Sequence, residues 1–100
     1  MQLVKTGTVT GTGAALNVSL GWVPDYVRIV NVTDGDRIDE WFSDMTAGTA
    51  VTTTTAVATT ASNGISAYAG TAAGLAPGFT IGSTISENAK VLSYIAIRNR

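Results

Sequence analysis

The chemically versatile side chains of this chain crowd into one stretch, where Asp34, Asp36, Asp39, Glu40 and Asp44 surround Arg37. Carboxylates at such spacing could offer oxygen ligands to a hard cation such as Ca²⁺. An EF-hand loop would place a bidentate acid eleven residues after Asp34, and that position is Met45. Arg37 offsets part of the charge. A solvated turn with a polar rim therefore explains the cluster better than a metal site, and no metal is expected. Pairs such as Asp39 with Asp44, or Asp36 with Glu40, could meet the carboxyl separation of about 5–9.5 Å that glycoside hydrolysis needs. Any acidic surface does so loosely, and 100 residues with seven aromatics leave little material to wall a cleft.

The other apparent motifs weaken in the same way. In GTVTGTGAAL, a phosphate-binding loop would require Lys and Ser or Thr after its second glycine, whereas Gly11 is followed by Thr12 and Gly13. A dinucleotide fingerprint would require a third glycine where Leu16 stands. A turn between two strands is the expected reading. The chain has no His and no Cys, which removes thiolate and His-based zinc sites, disulfides and His-dependent nucleophilic catalysis. Lys5 and Lys90 sit in ordinary contexts and give no Ser or Thr an evident base. No catalytic residue and no cofactor is assigned, and the chain is read as not an enzyme. Asn17-Val18-Ser19 and Asn31-Val32-Thr33 match the glycosylation pattern but fall in expected strands. They are taken as chance matches.

Charge decides more than motif does. Six Lys and Arg against seven Asp and Glu, with no basic cluster, argue against a nucleic-acid partner. The opening MQLVKTGTVT lacks an apolar signal core and no run reaches about 18 apolar residues, so no membrane partner is expected and synthesis in a cytoplasm is the reading. Ala, Thr, Gly and Ser make up 48 of the 100 residues. Of 13 charged residues, eight lie between Asp25 and Asp44, and none lies from Met45 through Ser86. A free monomer spreads mixed charge over its surface to stay soluble and to discourage edge pairing. Val51, Val57, Ile65, Tyr68, Leu75, Phe79, Ile81 and Ile85 punctuate the uncharged span. Segment 45–86 is thus expected to lie inside the fold and to pack against other subunits.

Strand signals supply the scaffold. Leu16, Val18, Leu20 and Trp22 alternate with small polar residues, as do Phe79, Ile81 and Ile85. YVRIVNV from Tyr26 and VLSYIAI from Val91 carry apolar residues on both faces, the pattern of central strands covered on both sides. LVKTGTVT and ISAYA are weaker candidates, and residues 49 to 70 read as a Thr-rich hairpin with Asn63-Gly64 as its turn signal. In DRIDEWFSDM, Ile38, Trp41, Phe42 and Met45 fall at helical spacing behind Asp36 as a cap, so the periodicity favours a short helix near 36–45. The alternative is a strand with Ile38 and Phe42 on one face and Trp41 on the other. Short strands separated by Gly and Pro turns point to one all-β domain over 1–100, an antiparallel β-sandwich or a barrel. Interface residues are expected among Thr54, Val57, Tyr68, Trp22 and Trp41. Lys at Val57 or Thr54 is expected to weaken assembly more than Arg28→Ala.

Two stretches also carry a resemblance. GWVPDYVRIVNVTDGDRIDEWFSDM, followed after a Thr/Ala-rich middle and Asn-Gly-Ile by PGFTIGSTISENAKVLSYIAIR, resembles small virion structural proteins of tailed bacteriophages. The resemblance implies a β-sandwich virion component, such as a capsid decoration (cement) protein that trimerises on the shell, or a head or tail accessory subunit. It implies a corner at Pro24 and Asp25, a packing segment at Trp41, Phe42 and Met45, and a penultimate strand at Phe79, Ile81 and Gly82. It also tilts DRIDEWFSDM toward a strand. The expected function is a non-enzymatic virion protein that forms a homo-oligomer, a trimer, and binds the major capsid protein or another virion protein to stabilise the shell. The alternative is a receptor- or carbohydrate-binding β module of a phage tail or head fibre, with Trp22 or Trp41 stacking on sugar.

Overall fold

A computed structural model describes residues 2–71 and 74–99 as eight strands with no helix among them. In chain order they are β1 (Gln2–Thr10), β2 (Leu16–Ser19), β3 (Tyr26–Asn31), β4 (Ile38–Phe42), β5 (Thr49–Thr53), β6 (Val57–Tyr68), β7 (Gly78–Ile81) and β8 (Val91–Asn99). All pair antiparallel in one sheet ordered β1-β8-β3-β4-β5-β6-β7-β2, curled into a half-barrel. The barrel-like expectation holds. The two-sheet sandwich does not, because a single continuous ladder runs from β1 to β2.

The curl encloses one core. Val27 and Ile29 of β3, Trp41 of β4, Ala50 of β5, Ile65 of β6, Phe79 and Ile81 of β7, and Leu92 and Ala96 of β8 are buried on the inner face. Phe79 meets Tyr94 edge-on with ring centroids 5.3 Å apart, a favoured aromatic geometry. The accessible surface of 5271 Å² matches the roughly 5,300 Å² that size scaling gives for a folded 10.2 kDa chain. The single chain is as compact as a folded monomer of its length ordinarily is.

The segment read as a short helix over 36–45 is strand β4, with β3 on one side and β5 on the other. The helical spacing arose because this strand carries apolar residues on both faces. Trp41 points into the core, Ile38 and Phe42 share the outer face, and Met45 reaches the core from the turn beyond. An isolated turn or two of helix is marginal in water, whereas a strand here gains two ladders at once.

The hairpin expected over 49–70 forms from β5 and β6, but Asn63-Gly64 is not its turn. Thr53 pairs with Val57, so the chain reverses at 54–56. Asn63 sits inside β6 in the left-handed region (φ 55°), where the β5–β6 register shifts between Thr49 and Ala50. This bulge lets β6 leave β5 and pair β7 through Ile65–Tyr68. Gly82 passes so close to the Asn63 and Gly64 carbonyls that a Cβ there would collide with backbone, and its N–H donates to Gly64 O at 2.6 Å. At the other end, Pro24 is buried and Asp25 N–H donates to Ile97 O at 2.7 Å, which fixes the corner leading into β3.

Candidate functional site

The registers assign every strand residue to the inner or the outer face. Arg28 pairs with Glu40 on β4 and with Ile95 on β8, while Ile95 pairs with Thr6 of β1 and Glu40 with Val51 of β5. Directly paired residues share a face. The outer face therefore carries Val4, Thr6 and Thr8 of β1, Ser93, Ile95 and Ile97 of β8, and Tyr26, Arg28 and Val30 of β3. It continues with Ile38, Glu40 and Phe42 of β4, Val51 and Thr53 of β5, and Val57 and Thr59 of β6.

This outer face is uncovered and mixes large apolar side chains with threonines. The large hydrophobic residues that stand exposed are Val4, Val32, Phe42, Val57, Leu75 and Val91, and all but Leu75 belong to it. Val57 is 71% exposed and Val4 54%. Val91 pairs with Thr10 at one end, and Val32, one residue past β3, donates its N–H to Val91 O at 3.0 Å and continues the alternation. Scattered surface Leu or Val residues are ordinary, whereas apolar residues recurring among threonines across six strands of one face make it the candidate contact surface.

A small polar centre interrupts it. Tyr26 donates to Glu40 Oε2 at 2.6 Å, and the Tyr26 ring packs on Phe42 with centroids 5.0 Å apart. Glu40 thus leans along the sheet toward Tyr26 and away from Arg28, its direct cross-strand neighbour. Among the described residues Arg28 has no hydrogen bond and no ion pair. It borders a shallow recess of about 350 Å³ lined by Thr6, Arg28, Val30, Ser93, Tyr94 and Ile95.

Burial first, then the hydrogen bond to Glu40 and that carboxylate's charge, push the Tyr26 hydroxyl up to about 12, while Arg28 pulls weakly the other way. A raised phenol pKa means that folding favours the protonated form. Its stabilisation is complete below the ordinary tyrosine value near 10 and is lost as pH rises through about 12. Phenolate absorbance should therefore show Tyr26 ionising late, and Tyr26→Phe should reduce the loss of stability between pH 10 and 12. Parallel alkaline curves for the two proteins would show that the Tyr26–Glu40 bond is not coupled to folding.

The acidic stretch is dispersed by the fold. Asp39 points inward at 1% exposure, where it accepts from Arg37 Nε at 2.8 Å and from Thr52 Oγ1 at 2.6 Å. Glu40 belongs to the outer face, and Asp44 lies exposed in the turn after β4. Asp34 and Asp36 stay in the β3–β4 turn, where distant Glu87 joins them with carboxylate oxygens within 4.8 Å of one another. Those three could offer oxygens to a cation, but Lys90 Nζ already lies 3.1 Å from Asp34 Oδ1, and Asn31 Nδ2 donates to Glu87 Oε2 at 2.6 Å.

The expected interface residues separate likewise. Trp41 is 2% exposed in the core, its indole N–H enclosed without a partner among the described residues, so it presents no stacking platform. Trp22 is half-buried against the core, and Tyr68 is half-buried with its hydroxyl enclosed. Thr54 stands exposed in the β5–β6 turn and Val57 on the outer face. Ile95, Ile97, Val30, Ile38 and Phe42 were missed as surface residues. Their signal was present in the two-faced apolar pattern of β3 and β8, which read as cover from both sides within one chain. No protein-family model matches this chain, and no curated protein or solved structure matches it either.

Proposed function

We propose that this chain is a non-enzymatic structural protein that works by association, with the outer face of its sheet as the contact surface. More particularly, we read it as a virion component of a tailed phage: a capsid decoration or cement protein that self-associates and binds the major capsid protein, or another virion protein, to stabilise the shell. The observation that carries the association reading is the apolar outer face running from Val4 to Val57, left uncovered on a monomer that is otherwise fully compact. The phage context is supported by the resemblance of the Gly21–Met45 and Pro77–Arg98 stretches to small virion proteins, and the self-association expected from that resemblance belongs to the same proposal. Many copies installed on a shell need a rigid scaffold and a contact surface, and closed symmetry hides apolar faces that would be hazardous on a free monomer.

Co-sedimentation with capsids of the phage whose genome carries the coding sequence tests this reading. Saturable binding at a fixed ratio to the major capsid protein is expected, with a higher melting temperature for the decorated shell. Protein left wholly in the supernatant at all concentrations would remove the decoration role.

A further inference from the structure

We infer that the outer face is covered by the same face of a second copy of this chain, related by a twofold axis running along the sheet between β3 and β4. This rests on the reading of that face as the contact surface, and it names what sits there.

The first observation is the charge pattern. Arg28 on β3 and Glu40 on β4 are directly opposed in register and occupy the middle of the face. Within the chain they do not satisfy each other, because Glu40 is held by Tyr26 while Arg28 has neither hydrogen bond nor ion pair among the described residues. A twofold axis between the two strands brings each Arg28 over the second copy's Glu40. The pairing is made twice, as an isologous contact requires. A lone guanidinium enclosed by apolar residues would be costly, whereas one matched by a carboxylate across the contact is not. The recess beside Arg28 provides room for that carboxylate side chain.

The second observation is the layout of strands. The face comprises β1, β8 and β3 on one side of the proposed axis and β4, β5 and β6 on the other. The same operation therefore lays β3 over the second copy's β4, β8 over its β5 and β1 over its β6. Tyr26 meets Phe42 and Ile95 meets Val51, so the apolar residues of the rows nearest the centre cover one another, while Val4 and Val57 lie in different rows and do not meet. Aligned sheets pack about 10 Å apart with their strands within about 30°. Because each sheet is curled, the contact is closest at β3 and β4 and opens toward β1 and β6. A face that pairs with itself closes at two copies and leaves nothing to propagate.

Sedimentation of the full chain over a concentration series, with charge reversals and their mixture, provides the test. Wild type should move from one to two chain masses as concentration rises. Arg28→Glu sets acid against acid across the axis and Glu40→Arg sets base against base, and each alone should weaken association at least tenfold. An equimolar mixture should regain the two-chain mass, because each half then presents the charge the other lacks. Arg28→Gln should weaken association by less and gain nothing from mixing with Glu40→Arg beyond the average of the two. Circular dichroism verifies that each variant is folded. A wild type that stays at one chain mass, a mass of three chains, single variants that associate like wild type, or a mixture that stays monomeric would each overturn the twofold pairing. A monomer that still binds capsids through this face would overturn only the pairing, whereas an intact dimer with no affinity for capsids would overturn only the decoration role.

Discussion

Asp39→Ala is expected to lower folding stability by about 3–5 kcal/mol, toward the lower end of that range. Asp39 is 1% exposed on the inner face and accepts from Arg37 through both oxygens, at 2.8 and 3.2 Å, while Thr52 Oγ1 donates at 2.6 Å. Arg37 also reaches Thr60 Oγ1 at 3.3 Å, and the Thr52 and Thr60 hydroxyls lie 2.6 Å apart. The network thus ties β4 to β5 and β6 from inside the curl. Removing the carboxylate leaves the Arg37 cation and the Thr52 hydroxyl short of a partner in a poorly solvated site, and an orphaned buried polar group costs more than the bond it lost had contributed. The Arg37 side chain keeps 19% exposure, so water can relieve part of that loss, which favours the lower figure. A domain of this size has about 5–15 kcal/mol of stability to lose. The melting temperature should fall by more than about 12 °C. Urea midpoints measure the effect, and a shift worth less than about 1 kcal/mol would show that the network is energetically idle. The paired change Arg37→Met with Asp39→Leu should cost less than Asp39→Ala, because replacing both charges by apolar groups leaves no ion stranded.

The second large effect concerns association rather than folding. Ile95→Asp places a carboxylate near the centre of the outer face, on the strand flanked by β1 and β3. The position is half-buried in the free chain, so folding should change by only about 1–2 kcal/mol. Any partner that covers the face would have to desolvate the new charge, and a truncated or charged hot spot commonly costs several kcal/mol of binding. Association, measured by sedimentation or by binding to capsids, should weaken at least 100-fold. Thr54→Lys, in the β5–β6 turn beside the face, should have a smaller effect. Unaltered association in Ile95→Asp would move the contact surface elsewhere on the molecule.

The contrast between these two positions shows where the amino-acid pattern was informative and where it was not. Apolar residues on both faces of Tyr26–Asn31 and Val91–Ile97 correctly marked central strands. Alternation cannot say whether the second face is covered by the same chain. In β4 the same two-facedness imitated a helical stripe, since Ile38, Trp41 and Phe42 satisfy both periods over five residues. Asn63-Gly64 did signal a left-handed backbone, but the same geometry serves a bulge as well as a turn, and only pairing with β5 and β7 decides between them. The acidic run looked like one site because five acids are close in sequence. A strand sends Asp39 and Glu40 to opposite faces, while the turn gathers Glu87 from a distant segment. The uncharged span divided too: Ile65, Phe79, Ile81 and Ile85 build the core, whereas Val51 and Val57 contribute to the outer face.

The position of β8 between β1 and β3 governs when this fold can form. The strand that follows the other seven in chain order occupies a place near the middle of one arm of the sheet, flanked by the first strand on one side. On a ribosome, neither β1 nor the outer edge of β3 can find its partner until residues 91–99 have emerged, so both wait as open ladder edges until β8 arrives. Pairing of such distant segments is slow. Folding is therefore expected to wait for β8, and truncation within β8 should yield aggregating chain rather than a smaller folded domain.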